Sequence, residues 1–172
     1  MRKLLLATTA LMAMSSVSHA AVIDDLGINP TSATGAFSNS VGGSNFSDQY
    51  TFQLVGGPKF FTIASATNVF PGGPASTDFI SNFSASLFQQ VGAVGGGDDI
   101  LLFGPTTPFS CPLQPNCQGL AGAAILNAGN YFLQINGQGG GTSGYGGNIA
   151  TFAVPGPTVG SFSLASIITL FK

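Results

Sequence analysis

The sequence predicts an all-β fold, a single antiparallel β-sandwich or jelly roll that follows a signal peptide. Two observations support this prediction. Apolar and polar side chains alternate along several short runs, which is the period of a half-buried strand. Clusters of glycine and proline separate the runs, and both residues favour turns. Six to nine short strands divided in this way are typical of sandwiches and jelly rolls.

The first segment, residues 1–20, has the features of a secretory signal peptide. Arg2 and Lys3 give it a positive start, residues 4–14 are apolar, and small residues precede Ala21. An alternative interpretation of the apolar run is a buried first helix. We expect export by the Sec machinery, cleavage by signal peptidase and a mature chain that begins at Ala21.

The alternation is clearest in residues 46–54. One face of this run is apolar apart from a single carboxylate, and consists of Phe46, Asp48, Tyr50, Phe52 and Leu54. The other face is polar, and we expect it to be hydrated: Ser47, Gln49, Thr51 and Gln53. Further strands are predicted at 59–70, 79–90, 99–103, 119–126, 130–136 and 145–154. Residues 121–127 also fit one helical turn. The β-domain should span residues 21–154.

Asp48 lies on the apolar face and therefore needs hydrogen-bond donors, because an unpaired buried charge costs several kcal/mol. In a structural interpretation, backbone or hydroxyl groups of a neighbouring loop bind the carboxylate and fix the register of the strand. In the alternative, Asp48 joins Asp98 and Asp99, or backbone carbonyls, in a calcium site. The chain has no Asp-rich loop with suitable spacing, so we favour the structural interpretation.

The composition of the mature chain argues against catalysis. Beyond residue 20 it contains no histidine, arginine, glutamate or tryptophan, and two lysines against six aspartates give a net charge of −4. A serine or cysteine nucleophile would have no histidine to activate it. Phosphate recognition needs clustered lysine or arginine. We therefore expect no enzymatic activity, no cofactor and no nucleic-acid partner.

Two cysteines lie close together in a short segment that contains two prolines. An even number of cysteines in an exported chain favours a disulfide, so we predict a bond between Cys111 and Cys117. A zinc site needs four nitrogen or sulfur ligands, and the mature chain lacks the histidines or further cysteines to complete one.

The pattern Phe46-x-Asp48-x-Tyr50, shortly after the signal peptide, resembles the motif of the FxDxF family of PEP-CTERM proteins. Tyrosine stands where the family name has its second phenylalanine. Residues 128–135 are similar to a late AGxYxLxV strand of that family, which also recurs in pre-peptidase C-terminal β-sandwich domains. The resemblance implies an exported β-rich protein of a Gram-negative bacterium.

The C-terminal tail, residues 155–172, resembles a degenerate PEP-CTERM sorting signal. The motif that opens such signals, Val-Pro-x-Pro, is matched at Val154, Pro155, Gly156 and Pro157, with glycine in place of the usual glutamate. In the family a transmembrane helix and an arginine cluster follow, and an exosortase processes the signal. Here the apolar run 159–171 is shorter than the roughly 20 residues that span a bilayer, and only Lys172 follows. A truncated or frame-altered C-terminus would explain this; a last strand or docked helix is the alternative.

The sequence thus favours a non-catalytic exported protein of the periplasm, the outer cell surface or the extracellular matrix. The alternative is a module that binds carbohydrate or another polymer, such as an extracellular polysaccharide. Such modules stack exposed aromatics on sugar rings, and the candidates here are Tyr145, Phe109 and some of the strand phenylalanines. Two or more exposed aromatic side chains in a planar row would favour the binding module, whereas burial of all aromatics would favour the structural role. A calcium-stabilised module is a third possibility, which a calcium-dependent melting temperature would reveal.

Overall fold

Ten strands form two five-stranded sheets in the computed structural model, which describes residues 21–67, 80–110, 117–141 and 143–155. The strands are β1 (Ala21–Ile28), β2 (Ala36–Ser40), β3 (Asn45–Leu54), β4 (Lys59–Thr67), β5 (Ile80–Gln89), β6 (Ile100–Phe103), β7 (Phe109–Ser110), β8 (Gln118–Leu126), β9 (Gly129–Gly139) and β10 (Gly144–Ala153). Sheet A has the order β1-β3-β9-β5-β6, and sheet B has the order β2-β10-β4-β8-β7. In these described ranges no helix is long and apolar enough to cross a membrane.

The predicted all-β sandwich is confirmed, with one difference in strand direction. Seven strands, β3 to β6 and β8 to β10, match the predicted runs. Three strands were not predicted: β1, β2 and β7. Leu26 is the one buried side chain of β1, and β2 and β7 are short, so none shows a clear alternation. Strand β1 pairs with β3 in parallel, whereas the predicted sandwich was antiparallel.

The core lies between the two sheets, and aromatic stacking joins them. The Phe52 ring of β3 stacks on the Phe61 ring of β4, with centroids 5.4 Å apart and planes 7° from parallel. Phe52 also stacks on Tyr131 of β9 at 5.5 Å. Offset stacking of this kind adds roughly 0.5–1.5 kcal/mol beyond the burial of apolar area. A three-ring stack therefore links β9 and β3 of sheet A to β4 of sheet B.

The outer face of sheet A differs from the expected hydrated surface. Gln49 was expected to be hydrated, yet it is only 1% exposed. The turn between β5 and β6 folds back over β3, and a Cβ atom at Gly95 would lie 3.1 Å from Gln49 Nε2. Gly95 can approach so closely because it has no side chain and adopts a φ of +73°. The prediction of a fully hydrated polar face on β3 was wrong at this position, because the covering turn belongs to a distant part of the chain.

Candidate functional site

Asp48 is buried between the two sheets, where it accepts two hydrogen bonds from sheet B. The side chain is 5% exposed. Its Oδ2 atom accepts a bond of 2.5 Å from the Tyr145 hydroxyl on β10 and one of 2.8 Å from Asn39 Nδ2 on β2. Because Asp48 itself belongs to β3 of sheet A, the carboxylate ties the sheets together. We call the set Asp48, Tyr145, Asn39 and Tyr50 the inter-sheet cluster.

Tyr50 extends this cluster in a directed chain of hydrogen bonds. The hydroxyl oxygens of Tyr50 and Tyr145 are 2.8 Å apart. A tyrosine hydroxyl has one proton, and Tyr145 donates its proton to Asp48, so Tyr50 must donate to Tyr145. The proton order is therefore Tyr50 to Tyr145 to Asp48.

Phe46 completes the motif by packing against the same tyrosine. Its ring stacks on Tyr145 with centroids 5.5 Å apart and planes 15° from parallel. On the other side of the cluster, Phe37 of β2 lies against Tyr50 at 4.9 Å. All three residues of the Phe46-x-Asp48-x-Tyr50 motif thus contact Tyr145. The prediction of Tyr145 as a candidate for an exposed aromatic that stacks on sugars was wrong, because the side chain is 1% exposed.

The donors to Asp48 come from an unexpected place. The structural interpretation named a neighbouring loop, but the donors are side chains of two strands in the opposite sheet. One form of the calcium alternative placed Asp98 and Asp99 beside Asp48, and the other used backbone carbonyls. Asp98 and Asp99 lie in the turn that precedes β6, whose Gly95 contacts Gln49 on the opposite side of β3. Across the described residues no group of three or more His, Cys, Asp or Glu side chains could hold a metal ion.

Burial changes the acid–base behaviour of the tyrosines. Burial raises the pKa of Tyr50 to about 12; the hydrogen bond with Tyr145 opposes this shift, and the nearby carboxylate of Asp48 adds to it. Burial also raises the pKa of Tyr145, and so do its hydrogen bonds to Asp48 and Tyr50. Burial raises the pKa of Tyr131 as well. In all three tyrosines of the chain the fold therefore extends the neutral form to higher pH.

This effect predicts a loss of stability at alkaline pH. A tyrosine in the unfolded chain ionises near pH 10, whereas Tyr50 in the folded protein ionises near pH 12. The stability is therefore complete below about pH 10 and is lost as the pH rises through about 12, by about 1.4 kcal/mol per pH unit for each tyrosine. Chemical denaturation at a series of pH values measures the slope, and Tyr145→Phe should reduce it. Tyrosinate absorbance that appeared near pH 10 in a folded sample would contradict the expectation.

Two other sequence predictions fall partly outside the described residues. Cys117 is buried immediately before β8, but Cys111 is not among the described residues, so their disulfide stays a prediction. Val154 follows β10, and its backbone N–H donates to Pro58 O at 3.2 Å. Pro155 is the last described residue; Gly156, Pro157 and the signal peptide at 1–20 lie outside the described ranges.

A small open pocket lies at the edge of the sandwich beside the cluster. Its volume is about 230 Å³, and it is lined by Ile23, Asp24, Ala36, Phe37, Ser38 and Tyr50. Pockets that enclose small molecules usually measure roughly 300–1,000 Å³. This pocket is too small and open to serve as an enclosed ligand site of that kind.

A row of exposed apolar side chains crosses the outer face of sheet B. Phe152 on β10 lies directly opposite Phe60 on β4, which lies opposite Ile125 on β8. The exposed fractions are 55%, 43% and 67%, respectively. Phe109 on β7, also exposed, lies over Gly119, where an added Cβ would be 2.5 Å from the ring. Phe60 and Phe152 are thus two exposed aromatic side chains in a row, which Ile125 extends.

Beside the row, this face carries small, uncharged side chains. Small side chains on β4 and β8 form a floor beside the row: Thr62, Ala64, Ala121 and Ala123. The hydroxyl of Thr62 donates to Ala150 O at 3.4 Å. Nearby on β10, the Asn148 side-chain amide donates to Ser32 O. Thr62 and Asn148 thus each use a donor within the chain, while the exposed Ser38 and Ser40 of β2 lie at the edge of this side of the sheet. We use the term outer face of sheet B for the exposed row, Phe109 and this floor.

Comparisons with known proteins identify no family. No protein-family model and no curated protein matches the chain. Among solved structures, it is similar to the pre-peptidase C-terminal domain of a collagenase from Bacillus anthracis, with 14% sequence identity. The match covers 73% of this chain and 92% of that chain, with a TM-score of 0.42.

Proposed function

We propose that this chain is a non-catalytic exported protein of the cell surface or extracellular matrix, of the kind that the FxDxF PEP-CTERM proteins represent. The observation that carries the proposal is the burial of Asp48 and Tyr145, the pair of side chains that could otherwise act as an acid and a base. Asp48 and Tyr145 bind each other across the core and are 5% and 1% exposed, respectively. A catalytic acid or base must reach its substrate, whereas these two groups are buried and bind each other, Asn39 and Tyr50. Their role is to hold the two sheets together.

The route to the cell surface is proposed from the two ends of the sequence. Residues 1–20 would direct the chain to the Sec machinery and signal peptidase. The Val154-Pro155-Gly156-Pro157 motif would bring the tail to an exosortase, if the shortened signal is still recognised in the native host. The expected location is the periplasm, the outer surface or the extracellular matrix.

A second candidate function is binding of a polymer such as an extracellular polysaccharide. The exposed row formed by Phe60, Phe152 and Ile125 favours it, because aromatic rings can stack on the apolar faces of sugars. The chemistry beside the row is less suitable. Specific sites place a few polar groups towards their ligand, and here Thr62 and Asn148 bind backbone carbonyls of their own chain.

Two measurements test these functions. Fractionation of the native host should place the protein outside the cytoplasm, with residues 1–20 removed. Cytoplasmic protein that retains residues 1–20 would contradict the surface role. Retention of the purified exported protein on insoluble polysaccharides tests the second candidate. Retention that Phe60→Ala abolishes would support polymer binding, and equal passage of both proteins would exclude it for those polymers.

A further inference from the structure

The outer face of sheet B has the size of a protein interface. Sheet B has five strands and β4 has nine residues. Strands lie about 4.8 Å apart and rise about 3.4 Å per residue, so the five strands, of 5, 10, 9, 9 and 2 residues, cover about 570 Å². A standard stable interface buries about 800 Å² per partner. The face is thus large enough for an association at the weak end of the specific range.

The charged side chains that the structure describes leave this face free of repulsion. Of the residues that the structure describes, every carboxylate belongs to sheet A or its turns, namely Asp24, Asp25, Asp48, Asp98 and Asp99. The lysine among the described residues, Lys59, belongs to β4 of sheet B. Two copies with a negative net charge can therefore approach through their B sheets without bringing these five carboxylates together. Three layer spacings of about 10 Å would separate the two A sheets by about 30 Å, well beyond the Debye length of about 8 Å.

The shape of the face is self-complementary, because it has a raised row of large side chains beside a flat area of small ones. The row Phe152, Phe60 and Ile125 forms a ridge near the start of β4, and the exposed Ala64, Ala121 and Ala123 form a low floor further along the same strands. A two-fold axis between two such faces would lay the ridge of each copy over the floor of the other. This is the isologous arrangement of most homodimers, in which one patch serves both partners.

We propose that the outer face of sheet B is the interface through which this chain binds a second copy of itself, with the two B sheets facing each other. The partner is apolar protein surface rather than sugar, because the face offers exposed aromatic and methyl groups while the Thr62 and Asn148 side chains already bind carbonyls of their own chain. An exposed apolar patch of this kind marks an interaction site in soluble proteins. The inference goes beyond the surface role proposed above and does not depend on it.

Sedimentation velocity of the purified exported protein over a wide concentration range tests the proposal. We expect a reversible monomer–dimer equilibrium that added salt leaves unchanged or tightens, because no ion pair is involved. Ile125→Thr should raise the dissociation constant by about tenfold or more, since a two-fold interface loses the side chain twice. Phe152→Thr should act in the same direction, and serves if Ile125→Thr does not fold by circular dichroism.

The matched control is Ile100→Thr. Ile100 on β6 is 51% exposed and undergoes the same replacement, but it belongs to sheet A. It should leave the dissociation constant unchanged. A protein that is monomeric at every concentration would overturn the proposal, and so would a dimer that Ile100→Thr weakens as much as Ile125→Thr. Monomers that bind an insoluble polysaccharide through Phe60 would overturn it in favour of polymer binding. A monomer correctly exported to the surface would overturn this inference alone.

Discussion

Replacement of Phe61 by alanine is expected to lower the free energy of unfolding by about 3–5 kcal/mol. Phe61 is 0% exposed and stacks on Phe52 of the opposite sheet at 5.4 Å. Its ring also lies 6.2 Å from that of Phe103 on β6. Removal of the ring leaves a cavity between the sheets that close-packed neighbours fill only in part. Chemical denaturation of the exported protein measures the loss.

The neighbouring residue supplies the control. Phe60 precedes Phe61 on β4 but points to the outer face of sheet B, with 43% of its surface exposed. Phe60→Ala should therefore lower the free energy of unfolding by less than about 1 kcal/mol. Equal losses for the two variants would mean that the assignment of inner and outer faces in sheet B is wrong.

Asp48→Ala is expected to lower the free energy of unfolding by about 2–4 kcal/mol. The change removes the acceptor of two donors, the buried Tyr145 hydroxyl and the half-buried Asn39 amide, and leaves both without that partner. Each buried donor that loses its partner costs about 1–3 kcal/mol. Denaturant titration of the wild type and the variant gives the difference directly.

Asp98→Ala is the matched control, because it removes a carboxylate from an exposed turn. Surface changes of this kind usually alter stability by less than about 0.5 kcal/mol. If Asp48→Ala left the melting point unchanged, the structural role of the carboxylate would be refuted. Calcium that raised the melting temperature of the wild type but not of Asp48→Ala would restore the ligand interpretation instead.

The alternation in residues 46–54 was sufficient to place Asp48 in the interior, but not to find its partners. Side-chain direction along a strand is a local property with a period of two residues. Hydrogen-bond partners are not local: Tyr145 lies 97 residues from Asp48 and comes to it only when β10 enters the opposite sheet. A buried carboxylate predicts that donors exist, and the topology decides which residues they are.

The two faces of sheet B show a second limit. Phe60 and Phe61 are adjacent and identical, so hydrophobicity alone cannot decide which of them faces the core. The register of β4 with β10 and β8 places Phe60 between Phe152 and Ile125. This row could not be predicted without knowing which strands are neighbours in the sheet. Gln49 illustrates the same point, because its burial depends on a turn some 45 residues further along the chain. Strand β1 was missed for a simpler reason: its side chains are mostly exposed.

A double-mutant cycle between Asp48 and Tyr145 tests the central claim, that a hydrogen bond across the core holds the two sheets together. The free energies of unfolding of Asp48→Ala, Tyr145→Phe and the double variant are compared with that of the wild type. Because the hydroxyl and the carboxylate are 2.5 Å apart, we expect a coupling of about 1 kcal/mol or more. If the effects of the two single replacements on the free energy of unfolding add to within about 0.3 kcal/mol, the two side chains do not interact, and the central claim is contradicted.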